Sequence, residues 1–137
     1  MAYWLIKTEP STWSWDDQKT KKVTSWDGVR NYQASNNMKA MKVGDLCFFY
    51  HSVSERRVMG IVQVSREYYP DPTDETRRFG MVDVTYGEEL PIPVTLEQIK
   101  LMPELQQLAL VRQSRLSVMP VDESSWKLIC QMGGKRA

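Results

Sequence analysis

Two short runs carry most of the side chains suited to recognising a ligand: Trp26-Asp27-Gly28-Val29-Arg30-Asn31-Tyr32-Gln33 and Phe48-Phe49-Tyr50-His51-Ser52. Each sets a flat π-face beside an amide, a guanidinium or a hydroxyl, the tools for holding a planar heterocycle. The ring stacks, for roughly 1–3 kcal/mol per base, while amides and hydroxyls meet its hydrogen-bonding edge. Trp26 is the stronger stacking candidate, because it precedes a turn and polar residues follow it. Trp4, Trp13, Trp15 and Trp126 read instead as core.

Covalent chemistry finds little support. His51 is the only histidine, which excludes multi-histidine metal sites and leaves one imidazole base. Ser52 follows it directly. Adjacent residues of a strand point to opposite faces, so that hydroxyl is poorly placed for activation. No G-x-S-x-G elbow, dinucleotide-binding glycine run or P-loop occurs. The Asp16-Asp17 and Glu88-Glu89 pairs lack a partner at metal-ligand spacing, and Cys47 and Cys130 form no C-x-x-C pair. Both cysteines lie in apolar stretches and are expected as buried free thiols in a reducing setting. No catalysis, metal or cofactor is expected.

These residues must be positioned by one domain. The chain has 137 residues, 42% hydrophobic and 26% charged, enough for a core and too apolar for disorder. No apolar run approaches the roughly 20 residues of a membrane span, and no secretory signal is expected. One domain is expected over residues 1–137, with a loose tail from Gly133 to Ala137. Net charge is only +1, but residues 1–66 carry +4, residues 67–104 carry −6 and residues 105–137 carry +3. If the two ends meet in space, one face attracts phosphate while the acidic middle points away.

Ala2 to Thr8 predicts a first strand, ended by Glu9-Pro10. Ser11 to Asp17 predicts a short capped helix, and Lys19 to Lys22 a polar connection. Trp26-Asp27-Gly28 signals a turn. Arg30 to Met41 predicts a helix, with Ala34, Met38 and Met41 on one face. Leu46 to His51 reads as a strand buried on both faces, Arg57 to Ser65 as another, and Met81 to Tyr86 as a third. Prolines exclude regular structure from Tyr69 to Asp74 and limit Pro91 to Val94 to an edge strand. Helix starts fall at Thr95 and Leu105, a late strand at Arg115 to Val121, and a closing helix at Asp122 to Met132. About five short strands without regular crossover helices favour a mixed α+β barrel or sandwich.

The chain resembles the EVE domain family. Tyr3-Trp4-Leu5-Ile6-Lys7-Thr8-Glu9-Pro10 is similar to its opening motif and Trp26 to Ala34 to its signature. Gly44-Asp45, Tyr50-His51-Ser52, Gly60-Ile61-Val62, Tyr69-Pro70-Asp71 and Arg112 to Val118 follow in the family's order. The resemblance covers nearly the whole chain. It implies a PUA-like fold, a small mixed β-barrel of five or six strands flanked by short helices and related to the YTH domains that read methylated adenine in RNA. It also implies a pocket for a modified base, such as methylated or oxidised cytosine or methylated adenine, in DNA or RNA. A restriction, defence or RNA-processing partner is implied, with a cytoplasmic location, or a nuclear one in a eukaryote.

Carried over by resemblance, the base-binding positions are Trp26, Val29, Asn31, Tyr50, His51, Ser52, Leu116 and Ser117. Those facing phosphate are Lys7, Arg30, Ser114 and Arg115, with one of the cations available for a buried structural pair. Ser35 stands where the family commonly has arginine, removing one phosphate contact, and Phe79 stands where tryptophan is frequent. The expected function is a non-catalytic reader that draws one base out of its stack. Two alternatives stay open: a binder of free nucleobases or nucleosides, and an accessory domain of an RNA-modification system.

Overall fold

The computed structural model describes residues 1–135. A six-stranded mixed sheet runs in the order β2-β5-β4-β3-β1-β6. Its strands are β1 (Tyr3–Thr8), β2 (Val23–Ser25), β3 (Leu46–His51), β4 (Arg57–Pro70), β5 (Gly80–Thr95) and β6 (Val118–Val121). β1 runs parallel to β3, with Lys7 beside Tyr50, and the other pairings are antiparallel. Five helices flank the sheet: α1 (Trp15–Lys21), α2 (Tyr32–Ala40), α3 (Leu96–Lys100), α4 (Ala109–Arg112) and α5 (Glu123–Met132). This is the α+β architecture expected.

The helix starts follow capping chemistry. The Ser14 hydroxyl accepts from the Asp17 N–H (3.1 Å), and the Asp17 carboxylate accepts from the Ser14 N–H (2.9 Å). This reciprocal capping box satisfies donors that have no partner within a helix. Thr95 and Gln98 repeat the box at α3, whereas Asn31 caps α2 and Asp122 caps α5 by accepting a single N–H, from Ala34 and Ser125. Because Asn31 is the cap, α2 begins at Tyr32, not at Arg30.

β3 is buried on both faces, as its apolar run requires. Phe48 stacks on Trp126 of α5 at 3.8 Å on one face. Phe49, pointing the other way, meets Trp15 at 5.0 Å and Trp26 at 5.6 Å. Trp15 lies so close to β4 that a Cβ on Gly60 would sit 2.3 Å from its ring, which reserves that position for glycine. Both cysteines are buried free thiols.

Several elements differ from expectation. The polar run Lys19 to Lys21 completes α1, with its lysines on the exposed side. β2 is a three-residue strand that the sequence does not announce. β4 continues past Ser65 to Pro70, where Pro70 pairs with Gly80 at the strand end, a position needing no proline N–H. The segments expected separately at 81–86 and 91–94 form one strand, β5, whose register against β4 shifts at several bulges. The single helix expected from Leu105 splits into a 3₁₀ turn, Pro103–Leu105, and α4. The late strand begins at Val118, since Leu116 and Ser117 belong to the approach to it. Of the tail, residues 136 and 137 lie outside the described residues. Gly133 is held, its carbonyl accepting from Ile92 N–H (3.0 Å), and the Lys135 N–H donates to Cys130 O (2.9 Å).

Candidate nucleobase pocket

β1 and β2 are separated by three strands in the sheet, yet both contribute to one cavity. Its volume is about 520 Å³, within the range of ordinary ligand pockets. Lys7 and Thr8 come from the end of β1, Thr24 and Ser25 from β2, and Ser117 from the approach to β6. Trp26 to Asn31 form one wall, and Thr12, Trp13 and Lys21 form another. The cavity is thus lined from both halves of the sheet. Every lining residue comes from the two basic ends of the sequence and none from the acidic middle.

Trp26 is buried, 7% exposed, and still forms part of the cavity wall. Two contacts fix it: its backbone N–H donates to Val82 O (2.7 Å), and its ring stands edge-to-face on Phe49 at 81°. The turn after it needs Gly28, whose φ of +78° disfavours a side chain. Asp71 then locks the turn from 43 residues away. Its Oδ2 accepts from Gly28 N–H (2.9 Å) and Arg30 Nη1 (3.1 Å), while its Oδ1 accepts from the Thr73 N–H (2.8 Å) and hydroxyl (2.6 Å). Burial alone would raise the Asp71 carboxyl, but these donors outweigh it and hold the group below the usual carboxylate range. Arg30 also reaches Thr73 Oγ1 through Nη2 (2.9 Å). Of the expected phosphate cations it is therefore the one held in a structural pair, though it still lines the cavity.

Lys7 stands between this cavity and a second, shallower one. Its Nζ donates to Ser114 O (2.9 Å) and lies 5.7 Å from the Tyr50 ring centre. Burial lowers its pKa. The second cavity, about 320 Å³, is lined by Asn31, Gln33 and residues Arg112 to Leu116. Asn31 borders both. Its Oδ1 is spent on the Ala34 N–H (2.9 Å), so its Nδ2 is the hydrogen-bonding group left to face a ligand.

The expected base-binding set is thus divided. Trp26, Val29, Asn31 and Ser117 line the main cavity with Lys7 and Arg30, whereas Ser114, Arg115 and Leu116 line the second. Tyr50, His51 and Ser52 line neither. His51 Nε2 accepts the Trp15 backbone N–H (2.9 Å), which places the ring proton on Nδ1, facing Glu55 Oε1 at 3.1 Å. The Ser52 N–H caps the β1–β3 ladder on Thr8 O (2.8 Å). Tyr50 is buried beneath Lys7, and burial pushes its phenol up to about 12. Ser35 is buried as well, bonded to the Tyr68 hydroxyl (2.8 Å), so the departure at this position touches the packing of α2. Phe79 packs on Tyr32 at 5.0 Å. Sequence reasoning missed Thr12, Lys21, Thr24 and Ser25, which are ordinary polar residues on elements of uncertain extent. It set Trp13 in the core, although this residue also lines the cavity. Among the described residues there is no cluster of three or more metal-ligating side chains. No described helix is long and apolar enough to cross a membrane.

The chain belongs to the EVE domain family, whose model matches residues 2–132. Among solved structures, a protein of Agrobacterium tumefaciens is 46% identical, with a TM-score of 0.96 over 98% of this chain and 94% of that one. Human THYN1 in complex with 5-methylcytosine-containing DNA is 29% identical, with a TM-score of 0.92 over all of both chains. The YTH domain of Mmi1, at 11% identity and a TM-score of 0.59 over 96% of this chain and 86% of that one, shares the fold.

Proposed function

We propose that this protein is a non-catalytic reader of a modified base in DNA, with 5-methylcytosine the first candidate. One observation carries the reading: a cavity roomy enough for a base and walled by a buried, fixed indole, in a chain that aligns over the whole solved chain of human THYN1 in complex with 5-methylcytosine-containing DNA. The base leaves its stack at a cost of a few kcal/mol. Stacking in the cavity, roughly 1–3 kcal/mol, offsets that cost. Trp26 and Val29 supply the apolar wall, and Asn31 and Ser117 meet the base edge. Lys7 at the main cavity and Ser114 and Arg115 at the second guide the flanking phosphates. Tyr50, His51 and Ser52 support β3 and the floor beneath Lys7. A methyl group contributes only about 0.8 kcal/mol by burial, so discrimination also draws on polar groups that reject a wrong edge. With a net charge of +1 and only Lys7 and Arg115 assigned to phosphates, affinity for DNA alone is modest and its fall with salt is shallow. A partner protein that adds DNA contacts fits this balance.

The test is a binding series using single-stranded DNA and RNA oligonucleotides with and without one 5-methylcytosine, alongside free 5-methylcytidine. Preference for the modified DNA supports the reading. Equal affinity for modified and unmodified strands, or for the free nucleoside, overturns it.

A further inference from the structure

At the cavity mouth, Ser25 belongs to a directed chain of hydrogen bonds. Tyr69, near the end of β4, donates its hydroxyl hydrogen to Asp83 Oδ1 at 2.5 Å. The Ser25 Oγ lies 3.1 Å from the same Tyr69 oxygen. A carboxylate only accepts, so the Tyr69 proton is committed to Asp83. The Tyr69 oxygen then has only lone pairs to offer, and the Ser25 proton must point at it. What Ser25 has left for the cavity it lines is an acceptor.

The relay is held in place. β2 pairs with β5 so that Ser25 lies opposite Asp83. The Arg66 guanidinium covers the Tyr69 ring at 3.5 Å. Burial and the bond to Asp83 raise the phenol's pKa, so Tyr69 keeps its proton.

We infer that Ser25, polarised by Tyr69 and Asp83, selects bases bearing an exocyclic amine over bases bearing an oxo group at the same position. This rests on the base-reader proposal and adds a chemical criterion to it. Cytosine presents an N4 amine, a donor that the Ser25 lone pairs accept, whereas thymine presents O4, a second acceptor that meets them unfavourably. The pair 5-methylcytosine and thymine isolates the criterion, because both carry the 5-methyl group. Ser25 touches the base, and Tyr69 and Asp83 act through it as positioning residues.

The experiment measures affinities for single-stranded oligonucleotides carrying one 5-methylcytosine, cytosine or thymine at the same place, so that unequal duplex opening does not enter. The natural protein is expected to prefer 5-methylcytosine over thymine by about tenfold, the scale of one matched against one opposed hydrogen bond. Tyr69→Phe frees the Ser25 hydroxyl to turn and donate, so affinity for the thymine strand should rise and the preference collapse. A merely structural lesion would weaken both strands together. Ser25→Ala removes the acceptor without touching Tyr69; the expected result is a loss confined to 5-methylcytosine. Retention of the full preference in either variant overturns the inference. A natural protein that prefers 5-methylcytosine over cytosine but binds thymine equally well also overturns it, leaving the reader proposal intact. Binding of none of the three strands would end both.

Discussion

Asp71 offers the sharpest single perturbation of the pocket wall. Its buried carboxylate ties the Gly28 turn, the Arg30 guanidinium and Thr73 together through four short hydrogen bonds. In Asp71→Asn the charge disappears, and one oxygen becomes an amide nitrogen that must face donors. Arg30 is open to water and can be solvated once unpaired, so the loss comes from the buried donors that then face an amide. Hydrogen bonds to a charged group are worth roughly 1.5–3 kcal/mol each, about 3–5 kcal/mol for two of them. For a domain of this size each kcal/mol lowers the melting temperature by roughly 3–5 °C, so a fall of about 10–20 °C is expected. The assay is calorimetric unfolding of both proteins from neutral pH to pH 2.5. The folded carboxyl titrates below its unfolded value, near 3.9. Its contribution is therefore complete above that value and lost as pH falls through the folded one. Asparagine does not titrate, so the gap between the two proteins should be widest at neutral pH and narrow below about pH 4. Subtracting the two curves removes the other depressed carboxylates, Asp45, Glu55, Asp74 and Asp122. A gap that stays constant down to pH 2.5, or a loss of under about 3 °C at pH 7, would refute the reasoning.

Two other substitutions separate wall from support. Trp26→Ala empties a buried site and should cost about 3–5 kcal/mol, a large share of a domain's stability. Trp26→Phe is therefore the informative variant: circular dichroism should show a folded protein, and oligonucleotide titration a loss of methylcytosine binding. His51→Ala leaves the Trp15 N–H without an acceptor. Urea unfolding should register a loss of about 1–3 kcal/mol, while affinity of the folded protein for the oligonucleotide stays the same.

What the sequence made legible was governed by local chemistry. The caps at Thr95 and Asp122 bond within three residues, so residue type and spacing expose them. The helix expected from Ser11 is instead capped by Ser14 and starts at Trp15, because several hydroxyls in that run are equally good caps by type. The β3 run Leu46 to His51 shows itself because its neighbours on both faces demand apolar side chains. β2 stayed hidden: three residues are too few for a period, and only pairing with β5 makes Val23–Ser25 a strand. β4 was cut short because its far end, from Ser65 on, leaves the core, and β5 because its bulges and the exposed Glu88-Glu89 interrupt the alternation before Leu90 and Val94 return to the core. At the site, the Trp26 turn was legible from glycine, aromatic and amide in one run. The role of Arg30 was not, since its partner Asp71 is 41 residues distant. The cluster Tyr50-His51-Ser52 drew attention by residue type, yet which side of β3 meets α1 depends on where Trp15 docks.

The central claim, that a single base enters the cavity beside Trp26, is tested most directly at the indole N–H groups. A ¹⁵N-labelled sample titrated with a single-stranded DNA carrying one 5-methylcytosine reports all five tryptophans at once. The expected result is saturable movement of the Trp26 and Trp13 indole resonances, weaker with the unmethylated strand, while those of Trp4 and Trp126 hold still. A stationary Trp26 resonance at saturating DNA would contradict it.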